Sequence, residues 1–169
     1  MYNNTCDFCE CNRLAGIEDI KKGICKIQEG INDIRCGLEK ICKCCIREGI
    51  RDIKRGLCKI EDGLCDIIKG VKDTDFHCNC TAKKAIVEGI CDVKDGIKGI
   101  KRGLHKICKG CICQGVEAIN EGLCDVEKGL NCIVEGLNDL LNDMDIKGKH
   151  RDRCFGEMSW NGGDPDITV

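Results

Sequence analysis

The segment IEDIKKGICKIQEGINDIRCGL, residues 17–38, places aliphatic side chains three and four residues apart and a glycine at every seventh position. Steps of three and four keep one face of an α-helix, whereas an odd step of seven along a strand would alternate faces. The same heptad, I-x-x-I-x-x-G, recurs along most of the chain. Glycine falls at 16, 23, 30 and 37, at 49, 56, 63 and 70, at 89, 96, 103 and 110, and at 115, 122, 129 and 136. These four runs predict four helices and no strand.

Between runs the seven-residue phase breaks, at ICKCCIREGI (41–50) and at ICKGCICQGV (107–116). A helix running straight through such a break would rotate its apolar stripe to the opposite face, so a tight turn is expected at each. The two halves superpose at an offset of 66: Cys25 matches Cys91, Cys42 matches Cys108, Cys45 matches Cys111, Cys58 matches Cys124 and Gly49 matches Gly115. This is an internal duplication. The predicted fold is all-α, with two duplicated antiparallel helical hairpins forming a four-helix bundle. The alternative is a pair of separated hairpins that complete their cores with neighbours. The helices are expected at about 17–43 with 46–73, and 82–109 with 113–142. Around them lie a cysteine-rich N-terminal segment (1–15), hairpin repeats at 16–73 and 82–144, a cysteine-rich linker (74–81) and a polar, flexible tail (145–169).

With Ile17 and Ile20 as heptad sites a and d, the glycines take site g, beside the apolar stripe. Glycine inside a helix costs about 1 kcal/mol relative to alanine. Its regular use therefore predicts close-packed seams, in which a neighbouring backbone lies over the glycine groove. The residues expected to form the seams are Gly23, Gly30, Gly37, Gly49, Gly56, Gly63 and Gly70 in the first half. Their counterparts in the second are Gly89, Gly96, Gly103, Gly115, Gly122, Gly129 and Gly136.

Composition adds the chemistry. The 169 residues include 19 cysteines but only 3% aromatics, and 27 basic side chains balance 29 acidic ones. Base stacking and a net positive field are both missing, so nucleic acid is not an expected partner. No apolar run approaches the ~18 residues of a membrane span, and MYNNTCDFCECNR has no signal-peptide pattern. Synthesis in a cytosol is expected, in tension with a cysteine content that suggests disulfides or thiolate metal sites.

The thiols fall into two sets. Cys25, Cys58, Cys65, Cys91 and Cys124 take site b, Cys36 site f and Cys132 site c, all on helix surfaces rather than at a or d. Such positions suit bonds between molecules; the plainer reading is that of small apolar fillers. The rest gather at the ends. Cys42, Cys44 and Cys45 occupy one predicted turn and Cys108, Cys111 and Cys113 the other. Cys6, Cys9 and Cys11 in CDFCEC, with His77, Cys78 and Cys80 in DFHCNC, belong at the opposite end. These C-x-x-C-x-C and H-C-x-C spacings suit zinc or copper(I) as well as disulfides. Cys154 in the tail is a separate attachment point. No cofactor is expected on the leading reading.

Catalysis is not expected. His105 and His150 read as solvated side chains, His77 alone has neighbouring cysteines, and no nucleophile–base pair with an oxyanion pocket is discernible. The charged outer positions, such as Lys21, Lys22 and Glu29, read as a solvated face. The tail is expected to be flexible or to dock on a partner, with Trp160 as an anchor.

Size, 19 cysteines, the clusters CDFCEC, CKCC and CICQ, and an Ile/Lys/Gly-rich, aromatic-poor composition resemble the cysteine-rich morphogenetic proteins of the clostridial spore exosporium and coat. The resemblance covers the whole chain and is compositional. It implies synthesis in the mother cell, self-assembly with itself and other cysteine-rich shell proteins in a spore surface layer, and oxidation in place. The function expected is a structural one, with inter- and intramolecular disulfides; the alternative is a cytosolic thiolate protein that stores or buffers zinc or copper(I).

Overall fold

A computed structural model describes the backbone of residues 5–74, 76 and 80–155, and the side chains of 14–74, 76 and 80–144. Four helices follow one another: α1 (Thr5–Cys42), α2 (Ile46–Asp73), α3 (Cys80–Cys108) and α4 (Ile112–Phe155). They form a four-helix bundle built from two antiparallel hairpins, α1–α2 and α3–α4, and the described residues contain no strand. The backbones within a hairpin approach far more closely than those of α2 and α3 or of α1 and α4. Their aliphatic residues nonetheless share one core, joined by Phe76 from the linker.

The turns lie where the heptad phase breaks. Each helix before a turn closes with the paired hydrogen bonds of a Schellman motif. The Cys45 N–H donates to the Lys40 carbonyl (2.9 Å) and the Cys44 N–H to that of Ile41 (3.0 Å). In the second hairpin Cys111 donates to Lys106 and Gly110 to Ile107, both at 3.0 Å. The motif needs a left-handed residue, and here the duplicates diverge: Gly110 has φ 88°, whereas Cys44 adopts φ 65° despite its Cβ. A side chain in this region costs roughly 1–2 kcal/mol. Cys44→Gly is therefore expected to stabilise the reduced protein by about 1 kcal/mol, after allowing for the greater chain entropy of glycine. Urea unfolding measures this, and a loss of stability would refute the assigned strain.

Gly110 therefore departs from the heptad pattern, which places it in the third run. It follows the end of α3 and its missing side chain faces open space. The outer helix ends also differ from expectation. α1 begins at Thr5, within the segment read as a separate N-terminal piece, and α4 continues to Phe155, into the stretch read as a flexible tail. Loss of the apolar stripe marks where packing ends. It does not itself stop a helix, because lysine, arginine, glutamate and alanine keep good helix propensity.

The seams are reciprocal. Gly16, Gly23, Gly30 and Gly37 of α1 face Gly70, Gly63, Gly56 and Gly49 of α2. In the second hairpin Gly89, Gly96 and Gly103 face Gly129, Gly122 and Gly115, and Ala82 takes the fourth place, opposite Gly136. A Cβ on Gly30 would lie 2.5 Å from the Gly56 carbonyl oxygen and 2.6 Å from Cγ1 of Ile60; one on Gly96 would lie 2.5 Å from the Gly122 oxygen. Each notch is thus filled by the partner's backbone and by a side chain from site d, aliphatic everywhere except at Gly16, where Thr74 takes the place. Most of those d residues, among them Ile20, Ile27, Ile34, Ile53, Ile60 and Ile67, are 0% exposed. The a residues Ile24, Leu38 and Leu57 are buried slightly less, at 7–8%, where the two hairpins meet.

Charge pairs match the register of the first hairpin. Lys26 pairs with Asp66 (2.7 Å), Lys59 with Asp33 (3.1 Å), and Lys40 with the buried Asp52, all across the α1–α2 groove. Arg55 Nε donates to Asp33 (3.1 Å) and its Nη2 pairs with Asp52 (3.0 Å). The hydrogen bond from Arg55, followed by that from Lys59, holds the Asp33 carboxyl below its usual range. The bond from Lys40 does the same for Asp52. The basic partners Lys40, Arg55 and Lys59 remain at least partly exposed, in keeping with a mostly solvated outer face, while Asp52 is buried. The signal for the pairs lay in the alternation of Asp19, Lys26, Asp33 and Lys40 at site c, which becomes informative only once the antiparallel partner is known.

Candidate functional site

The a and d sites of the buried core are aliphatic, with Met144 packed at its edge, so the bundle interior holds no cysteine among the described residues. Fourteen cysteines have described side chains; thirteen are exposed and Cys132 is partly covered. Helix geometry explains the first set. Cys25, Cys58, Cys65, Cys91 and Cys124 at site b, and Cys36 at f, point away from both the glycine seam and the core. Cys58 and Cys65 on α2 are two turns apart, about 10 Å along the axis, beyond the Cα separation a disulfide spans. All fourteen are free thiols in this structure.

The second set comprises Cys42, Cys44 and Cys45, with Cys108, Cys111 and Cys113, in and beside the two turns. The up-and-down order brings both turns to one end of the bundle. There Cys42 and Cys44 share the wall of one groove with Cys113 and Cys124. At the other end, Cys80 is exposed in the first turn of α3. The side chains of Cys6, Cys9, Cys11, His77, Cys78 and Cys154 lie outside the described residues, and so does most of the candidate metal set. Among the described residues no group of three or more His, Cys, Asp or Glu side chains is arranged to hold a metal ion.

The duplicated hairpins differ in surface chemistry. At the offset of 66, Asp33, Asp52, Arg55 and Lys59 become Gly99, Ala118, Glu121 and Asp125. The charged zipper of the first hairpin is thereby reduced in the second, where Lys128 still pairs with Asp92 (3.2 Å) across α3 and α4. A cleft of about 390 Å³ opens over Gly99, Ala118 and Gly122, edged by Arg102 and Lys106 on α3 and by Glu121 and Asp125 on α4. Cys132 replaces Asp66 at the matching place on α4. Between hairpins, Arg35 pairs with Glu127 and Lys101 with Glu61, each on the exposed margin of the interface.

No described helix is long and apolar enough to cross a membrane. Comparisons with protein-family models, with curated proteins and with solved structures find no match to this chain.

Proposed function

We propose that this chain is a self-assembling structural protein of a bacterial spore outer layer, an exosporium or coat, in which bundles are joined through disulfides. One observation carries the cross-linking part: the molecule separates its chemistry, with an aliphatic interior and thiols on the surface of all four helices and at both turns. A metal store would turn its sulfurs inward around shared ions. Thiols spread over several faces reach other molecules instead, and more than two linkable faces allow a sheet rather than a simple dimer. The spore assignment rests on the compositional resemblance. Each bond joins two thiol sulfurs and releases two protons and two electrons to an oxidant such as dioxygen or hydrogen peroxide.

The purified reduced protein, exposed to peroxide, is expected to give a ladder of oligomers on non-reducing gels that collapses to monomer with dithiothreitol. A strictly monomeric band after oxidation would refute cross-linking. Stoichiometric zinc or copper(I) in protein purified anaerobically would replace this reading with metal storage.

A further inference from the structure

At the turn end, a groove of about 1000 Å³ lies between the first hairpin's turn and the beginning of α4. Its floor is apolar, made by Ile41, Ile46, Ile112 and Val116. Three of these, Ile46, Ile112 and Val116, are only partly buried against the core. Four thiols also line it: Cys42, Cys44, Cys113 and Cys124. Its charged lining residues are both acidic, Glu117 and Glu121, and both are exposed; Glu121 stands between this groove and the cleft edged by Arg102 and Lys106. The strained Cys44 belongs here. The duplicate uses glycine at that place, so the first hairpin keeps a thiol on the groove wall at a cost in backbone energy.

The chain carries one segment of matching chemistry. Residues 147–160, KGKHRDRCFGEMSW, hold Lys147, Lys149, Arg151 and Arg153 against two acids, Asp152 and Glu157, and follow them with Cys154, Phe155, Met158 and Trp160. This offers basic residues for an acidic rim, apolar residues for an apolar floor and a thiol for a thiol-lined wall. The same molecule cannot supply it. Phe155 ends α4, about 46 Å along the helix from the Cys124 end of the groove, and the residues from there to Trp160 reach about 18 Å at most.

We propose that the groove receives residues 147–160 of a second copy, head to tail, and that the contact is locked by a disulfide between Cys154 of one copy and Cys44 of the next. The inference rests on the proposed cross-linking role and names the partner surface. Two thiols give up two protons and two electrons to the same peroxide oxidant. A contact between unlike surfaces does not close on itself unless its rotation happens to form a ring, so it propagates into chains. The remaining surface thiols can then join chains side by side.

The test maps interchain disulfides by mass spectrometry after brief peroxide treatment of the full chain, alongside a charge swap. Cys154 is expected to link mainly to Cys44. Glu117→Lys with Glu121→Lys is expected to slow that link roughly tenfold at low salt, by reversing two rim charges that steer docking. Adding Arg151→Glu and Arg153→Glu is expected to restore it. All four sites are on helices, so circular dichroism confirms that each variant folds. Interchain links confined to turn cysteines, or a link to Cys154 indifferent to the swap, would overturn head-to-tail docking and leave the cross-linking role standing. No interchain disulfide at all would overturn both.

Discussion

Replacing Gly30 and Gly56 together by alanine is expected to reduce the unfolding free energy by about 2–4 kcal/mol, although alanine is the better helix former. Each substitution gains about 1 kcal/mol in helix propensity. Against that, a new methyl on Gly30 would sit 2.5 Å from the Gly56 carbonyl oxygen, and the methyl on Gly56 would meet the Gly30 oxygen in the same way. Overpacking costs about 1–3 kcal/mol per site. The upper part of that range applies because the obstacle is backbone, which has no alternative rotamer. The helices can only move apart, and that loosens the neighbouring notches at Gly23–Gly63 and Gly37–Gly49. Urea unfolding with reductant present, followed by circular dichroism, measures the change. A double variant as stable as the parent would mean that the seam is slack. Gly99→Ala is the graded control: its Cβ would meet the Gly122 Cα at 3.1 Å, a milder conflict, and a smaller loss is expected.

Ile60→Ala tests the same seam from the other side, with an expected loss of about 2–5 kcal/mol. Ile60 is 0% exposed, and its Cγ1 fills the notch at Gly30. Truncation leaves a cavity walled by two helix backbones already in contact, so little collapse is available to fill it. The duplicated hairpin offers an internal standard. Val126 stands at the place equivalent to Ile60, and its Cγ2 fills the notch at Gly96. Ile60→Val is accordingly expected to cost only about 0.5–1.5 kcal/mol. Equal losses for the alanine and valine variants in urea would show that shape at the notch is unimportant. A loss below 1 kcal/mol for Ile60→Ala would show that the seam is held elsewhere.

The surface thiols were legible from heptad position alone, because a residue at site b of a helix with an a/d stripe has nowhere to go but outward. The end groove was not. It requires both turns at one end, the approach of α4 to the first hairpin's turn, and a loose meeting of hairpins beside a tight meeting within each. None of these distances is written in a heptad. The exchange of Asp33 and Asp52 for Gly99 and Ala118 was visible as a difference between repeats, but that it opens a cleft followed only from which side chains cross the α1–α2 groove.

By itself, the sequence determined the helices, their two breaks, the duplicated hairpins and the face on which each glycine stands. These are consequences of local period and of residue size, which act over one or two turns. Tertiary structure decided the use of Ala82 in the seam, the burial of Phe76 and the antiparallel pairing of Lys26, Asp33 and Lys40 with Asp66, Lys59 and Asp52. The physical reason is common to all of these. Each depends on which residue of a distant helix stands opposite, and that follows from the register the whole bundle adopts when its backbones close to contact distance.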